Sequence, residues 1–241
     1  MGIVMVMTTD QLAPDLALAR LLQLSSVSLP VGGYAFSQGL EYAVECAWLK
    51  KLADVESWIS LQLHENIARV DLPILREVML AAENKDWRRF LQLNDLLLAS
   101  RETKELRLSD TAMGEALLRL LKSLDFDLGF LPALKNQGGT VNDLSFVCLF
   151  GLCAQQWSIP YRLAAMGFAW SWLENQVAAA TKLVPLGQTQ AQQLLVQLQP
   201  VLGEVIDAAE HISEEEIGGG LPALAIASAL HETQYSRLFR S

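Results

Sequence analysis

The stretch Leu144-Ser145-Phe146-Val147-Cys148-Leu149-Phe150-Gly151-Leu152-Cys153-Ala154 constrains the fold of this chain more than any other. As a helix it is apolar on every face, and such a helix has to be wrapped by neighbours rather than laid on a surface. It is about half the length of the roughly 18–20 apolar residues that cross a bilayer, and Asp143 precedes it, so protein has to cover it. The rest of the sequence supplies that cover. Apolar residues recur at helical spacing in Val55, Trp58, Ile59, Leu63 and Ile67, and again in Leu106, Met113, Leu117, Leu120, Leu121 and Leu124. No alternating strand pattern of useful length occurs. The expected class is all-α, with about eight to ten helices around one core.

Punctuation divides the helices. Asp54 and Asp86 are placed to cap. Pro73 is expected to break or kink its helix, with Asp71 capping the continuation. The segment from Asp125 to Gly139 reads as the longest connection. Pro160 opens a helix to about Val184, whose residues Met166, Trp170, Leu173 and Val177 form a heptad-like seam. A kink is expected at Pro200, and Ser213 to Glu216 resembles a capping box. Gly151 is suited to a close helix approach, and Gly218-Gly219-Gly220 reads as a hinge. The expected organisation is a helical domain over residues 1–217 and a tail over residues 218–241.

Composition excludes several functions. The 241 residues carry a net charge of −9, with no basic cluster, which argues against binding nucleic acid or an anionic membrane surface. Hydrophobic residues make up 51%, so the chain has either a large core or an apolar surface that a partner covers. Met1 to Met7 is apolar but lacks the basic start of a signal peptide. Cys46, Cys148 and Cys153 are odd in number and lie among apolar residues, so they read as buried free thiols in a cytoplasmic protein.

Motifs for chemistry are missing. His64-Glu65 begins like a zinc-protease helix, but Ala68 stands where the second His belongs, and His211 and His231 lie far away. There is no phosphate-binding G-x-x-x-x-G-K-[ST] and no βα unit to carry a dinucleotide fingerprint. No catalytic residue, metal ligand or bound cofactor is therefore expected.

Three stretches carry the remaining information. In Leu29-Pro30-Val31-Gly32-Gly33-Tyr34-Ala35-Phe36-Ser37-Gln38-Gly39-Leu40-Glu41, a shaped turn bears two aromatics and feeds a helix expected from Ser37 to Lys51. Arg101, Glu105 and Arg107 form a charged helix start. It is either an exposed Arg101–Glu105 pair worth ~0.2–0.5 kcal/mol or a partner-facing end whose arginine assists a partner's nucleotide hydrolysis. In the tail, Tyr235, Arg237, Leu238, Phe239 and Arg240 alternate aromatic, apolar and guanidinium groups, the residue types of interface anchors; the segment either packs on its own domain or, as the triple glycine favours, orders on a partner.

The turn resembles the UreF family of urease accessory proteins. So do Arg101–Arg107 (R-E-T-K-E-L-R), Met113-Gly114, Glu174–Leu195 and the ending His231–Ser241 (H-E-T-Q-Y-S-R-L-F-R-S), in the order expected for the family. Ala191 departs from the glycine common there. The resemblance implies an all-α protein without enzymatic activity of its own, a chaperone in nickel urease maturation. It implies binding to UreD/UreH, recruitment of the GTPase UreG to apo-urease, and homodimerisation, with nickel passing through the assembled complex. Carried over by position, Tyr34, Phe36, Gln38 and Glu41, joined by Arg237, are expected to recruit the GTPase. The tail from Leu230 to Arg240 is expected to order against UreD/UreH. The alternative is a regulator that activates or gates the GTPase with an exposed arginine.

Overall fold

The computed structural model describes residues 14–124, 126–137 and 143–241. The reading of Met1–Met7 lies outside them, as do Asp125 and residues 138–139 of the expected connection. The described residues form eleven α-helical segments and no strand: α1 (Pro14–Leu24), α2 (Leu40–Glu45), α3 (Leu52–Gln62), α4 (Leu72–Glu83), α5 (Trp87–Ala99), α6 (Lys104–Ser123), α7 (Phe130–Asn136), α8 (Phe146–Gln156), α9 (Tyr161–Leu183), α10 (Gln188–His211) and α11 (Pro222–His231).

The apolar stretch is α8, and every residue from Phe146 to Ala154 is buried. Helices α4, α5, α6 and α9 pack around it. Two glycines make the closest approaches possible. A Cβ on Gly151 would meet Leu75 Cδ1 at 3.0 Å, and one on Gly114 of α6 would fall 2.0 Å from the Leu144 carbonyl oxygen. The start of α8 is fastened by polar contacts. Ser145 Oγ accepts from the Cys148 N–H at 3.0 Å, and the Asn94 side chain accepts from Ser145 N–H while donating to the Asp143 carbonyl. Phe146, Phe150 and Phe168 make edge and tilted ring contacts beside it. Burial drives the Cys148 thiol up to about 12 and raises Cys153 as well, so both are inert packing groups.

Pro73 does not break its helix. Between α3 and α4 the chain stays helical but widens into a π segment, Leu63–Asp71, where the Leu72 N–H reaches back five residues to Ile67. Proline has no N–H, and its ring crowds the carbonyl four residues before it. Widening the helix relieves that crowding. The carbonyl concerned, on Arg69, takes the Gly218 N–H instead at 3.2 Å, and the Arg69 guanidinium donates to the Gly218 carbonyl at 3.1 Å. The glycine triplet expected to hinge thus crosses the π segment closely, with Gly218 bonded to Arg69. A Cβ on Gly219 would sit 2.4 Å from the Glu65 carbonyl oxygen. Asp71 caps nothing; its carboxylate goes elsewhere.

Other expectations are refined. The connection after α6 contains α7, which buries Phe130 and Leu134 one turn apart. Helix α10 runs on through Pro200, and Arg76 from α4 donates to its last carbonyls, Ala209, Glu210 and Ile212. The Ser213–Glu216 capping box forms. Of the α9 seam, Leu173 and Val177 are core while Met166 is exposed. Cys46 is also exposed, because α2 ends at Glu45 and Ala47, at φ 57°, turns the chain away from the apolar stripe.

Candidate functional site

The turn before α2 sorts its two aromatics. Gly32, at φ 78°, opens a single 3-10 turn over Gly33–Ala35. Tyr34 then points outward, 61% exposed, while Phe36 is buried. Helix α2 begins at Leu40 rather than Ser37, because Gly39 adopts φ 81° and acts as its N-cap; Ser37 Oγ accepts from the Glu41 N–H at 3.4 Å. A Cβ on Gly39 would press on Leu224 Cδ1 at 3.0 Å, so the glycine also makes room for α11.

A buried polar knot fastens the tail to this turn. His231, at the end of α11, has no exposed surface. Its Nε2 lies 3.0 Å from Glu41 Oε2 and its Nδ1 lies 2.7 Å from Glu105 Oε2. A carboxylate only accepts, so a ring that bonds two of them donates from both nitrogens and carries the positive charge. Arg237 Nη1 donates to the other oxygen of Glu105 at 2.9 Å. Glu41 also accepts the Leu238 N–H at 2.6 Å and the Phe239 N–H at 2.9 Å. Two carboxylates, one imidazolium and the partly exposed Arg237 guanidinium sum to zero net charge, which makes burial of the His231, Glu41 and Glu105 side chains tolerable. Beyond it, the Arg240 N–H donates to the Ala35 carbonyl at 2.8 Å, and the Ser241 carbonyl accepts from Ser37 and Gln38. The Arg240 guanidinium lies 5.9 Å from the Phe36 ring centre. The end of the tail thus packs on its own body, residues 238–241 bonding to Glu41 and to the turn.

Arg101 and Glu105 are not a pair. Arg101 turns inward, its Nη2 2.5 Å from Asp71 Oδ1 and its Nε 2.9 Å from Asp110 Oδ2. Asp110 Oδ1 in turn accepts the Phe146 N–H at 2.8 Å, tying the cluster to the first residue of α8. Burial opposes the charge on Arg101, but the two carboxylates outweigh it and hold the guanidinium protonated. Burial dominates at Asp71 and pushes its carboxyl up to about 6, against the pull of Arg101. A guanidinium so committed is not an exposed finger.

Between knot and cluster lies a cleft of about 90 Å³, lined among others by Phe36, Gln38, Arg101, Trp172 and Gln176. Gln38 sits at φ 50°, a left-handed conformation that a side chain adopts at a cost. Its Oε1 accepts the Trp172 indole N–H at 2.7 Å and the Gln176 amide at 3.4 Å.

Of the residues expected at contact sites, the structure joins Phe36, Gln38, Glu41, Glu105, Arg237, Leu238, Phe239 and Arg240 at the junction of turn and tail, with Tyr34 in the same turn. Tyr34, Tyr235, Arg237, Leu238 and Arg240 are exposed, Gln38 is half-buried, and Phe36, Glu41, Glu105 and Phe239 are buried. Arg107 stands apart, exposed, with one long bond to the Leu98 carbonyl at 3.4 Å. Sequence reasoning missed His231, Asp71 and Asp110 as charge partners. The only local signal was the cost of burying charge at α11 and α6, and neither helix shows where its partner lies. Among the described residues no three His, Cys, Asp or Glu groups are placed to hold a metal ion. Glu41 and Glu105 lie on opposite sides of the His231 ring and do not converge.

Comparison with known proteins agrees with the motifs. Residues 49–199 match the family model described as UreF. A urease accessory protein UreF from Marinomonas sp. (strain MWYL1) is 58% identical over 234 residues, which cover 97% of this chain and 98% of that protein. One from Alkalilimnicola ehrlichii is 46% identical over 230 residues, 95% of this chain and 97% of its own. One from Pseudomonas entomophila (strain L48) is 47% identical over 227 residues, 94% and 99%.

Proposed function

The chain belongs to the UreF family of urease accessory proteins, and on that premise we propose that it serves nickel urease maturation as a non-catalytic docking subunit. It binds UreD/UreH with the outward face of its tail and recruits the GTPase UreG with the turn around Tyr34. It holds both near apo-urease while nickel passes through the complex. No described helix is long and apolar enough to cross a membrane, and the work is assigned to the cytoplasm, with the chain acting as a homodimer.

The observation that carries this reading is the split character of the tail. Tyr235 is fully exposed and Leu238 is 63% exposed, yet their neighbours His231 and Phe239 are buried. Bare apolar side chains on a pinned backbone lose little entropy when a partner covers them. Co-purification with UreD/UreH and UreG tests the assignment. The double variant Tyr235→Ala/Leu238→Ala is expected to lose UreD/UreH while keeping its helical content. Retained binding overturns the tail face. Homodimerisation is read by sedimentation of the same protein.

The exposure of Arg107 favours a second reading, in which the chain speeds or gates GTP hydrolysis. Arg107→Ala would then abolish a rate change that the wild-type chain causes in UreG. An unchanged rate on adding the wild-type chain leaves docking alone.

A further inference from the structure

The cleft beside Arg101 holds one buried acceptor without a partner. The Trp172 indole can only donate, so Gln38 must turn its oxygen towards it. Gln176 must then turn its NH₂ to that same oxygen, which leaves its own oxygen facing away. Gln176 is 2% exposed, lines the cleft, and its Oε1 has no hydrogen-bond partner. A buried amide oxygen left in that state is costly, and native proteins satisfy nearly all such atoms.

The charges point the same way. Asp71, Asp110 and Glu102 line the cleft against the single guanidinium of Arg101. The walls include Phe36, Phe146, Phe168 and Trp172, whose ring faces attract cations. One wall is the π segment, which contributes Asn66, Ile67, Val70 and Asp71, and widened helical turns recur at functional sites. Gly33, Glu102 and Gly219 also line it, beside the turn and the glycine crossing. The room, about 90 Å³, exceeds the ~10–15 Å³ that one water occupies on a comparable scale.

We propose that this cleft is a binding site for a guanidinium group, whose N–H donors meet the unpaired Gln176 oxygen, whose charge meets the excess of carboxylates, and whose faces stack on the aromatic walls. The group comes either as a small free molecule or as an arginine side chain of a docked protein. The site does not depend on the identity of any maturation partner, so its failure would leave the docking assignment untouched.

The test is an NMR titration of the full chain with methylguanidinium, following the Trp172 indole N–H and the Gln176 side-chain amide. Saturable shifts with a Kd on the order of millimolar are expected for so small a ligand. Gln176→Leu removes the unpaired oxygen and should weaken binding about tenfold or more. Glu102→Gln, at an exposed position that does not threaten folding, should weaken it several-fold and serves if the first variant does not fold. A Gly-Arg-Gly peptide that binds at least as tightly assigns the site to a side chain; exclusion of the peptide with methylguanidinium still bound assigns it to a free molecule. Unsaturable shifts equal to those from potassium chloride overturn the proposal. So do equal binding by acetamide, saturable shifts of these resonances with nickel(II) alone, or undiminished affinity in a folded variant.

Discussion

Replacing His231 by Ala should open the tail without unfolding the protein. The imidazolium makes two hydrogen bonds to carboxylates from a fully buried position. Bonds to charged groups contribute about 1.5–3 kcal/mol each. Their loss is partly offset, because Glu41 keeps the N–H groups of Leu238 and Phe239 and Glu105 keeps Arg237. Water reaching the vacated space offsets more, so the lower end, about 3 kcal/mol, is the better figure. It falls on the docking of residues 221–241, since α11 packs chiefly on α2 and α6. About 3 kcal/mol corresponds to roughly a hundredfold change in the open fraction. Hydrogen exchange reads it directly. The amides of Gln38, Leu238, Phe239 and Arg240 are bonded only across the tail junction. They should exchange on the order of a hundred times faster in His231→Ala, while the amides of α8 keep their rates. Rates for those four within about threefold of wild type would refute a tail held by His231, and so would equal acceleration of α8, since the loss would then be global.

Four further variants can be checked by equilibrium denaturation. Asp71, pushed up to about 6 mainly by burial, holds its proton in the folded chain where the unfolded chain has lost it. Its contribution to stability is therefore greatest below about pH 4 and falls as pH rises to about 6. Asp71→Asn abolishes this titration and should gain roughly 2–3 kcal/mol on wild type between pH 4 and pH 7; a constant difference across that range contradicts the assignment. Asp110→Asn turns an amide N–H₂ towards Arg101 or gives up the Phe146 N–H, and should cost about 3–5 kcal/mol at neutral pH. Gly114→Ala forces a Cβ onto the Leu144 carbonyl and should lower stability by at least ~2 kcal/mol, whereas Tyr34→Ala, at an exposed position, should stay within ~0.5 kcal/mol. A neutral Gly114→Ala would refute the close α6–α8 contact, and a destabilised Tyr34→Ala would refute an outward Tyr34.

Local pattern was enough for the architecture. The all-apolar run could only be a wrapped helix, and α8 is that helix. The spacing of Val55, Ile59, Leu63 and Ile67 marks a buried face whether the backbone there is α or π, because every one of them is buried. The sequence could not show that Pro73 would be absorbed by a widened turn. The relief depends on Gly218, far along the chain, arriving to take the Arg69 carbonyl. The glycine triplet looked like a hinge for the same reason: flexibility and close approach ask for the same residue.

The sequence by itself therefore determined the helical class, the central helix and the family, because apolar periodicity and motif order are properties of neighbouring residues. Only the tertiary structure decided which charges meet. Arg101 bonds Asp71 and Asp110, 30 and 9 residues away, and His231 bonds Glu105 and Glu41, 126 and 190 residues away. A charge can be buried only beside its opposite, and which opposite it finds depends on how the helices pack.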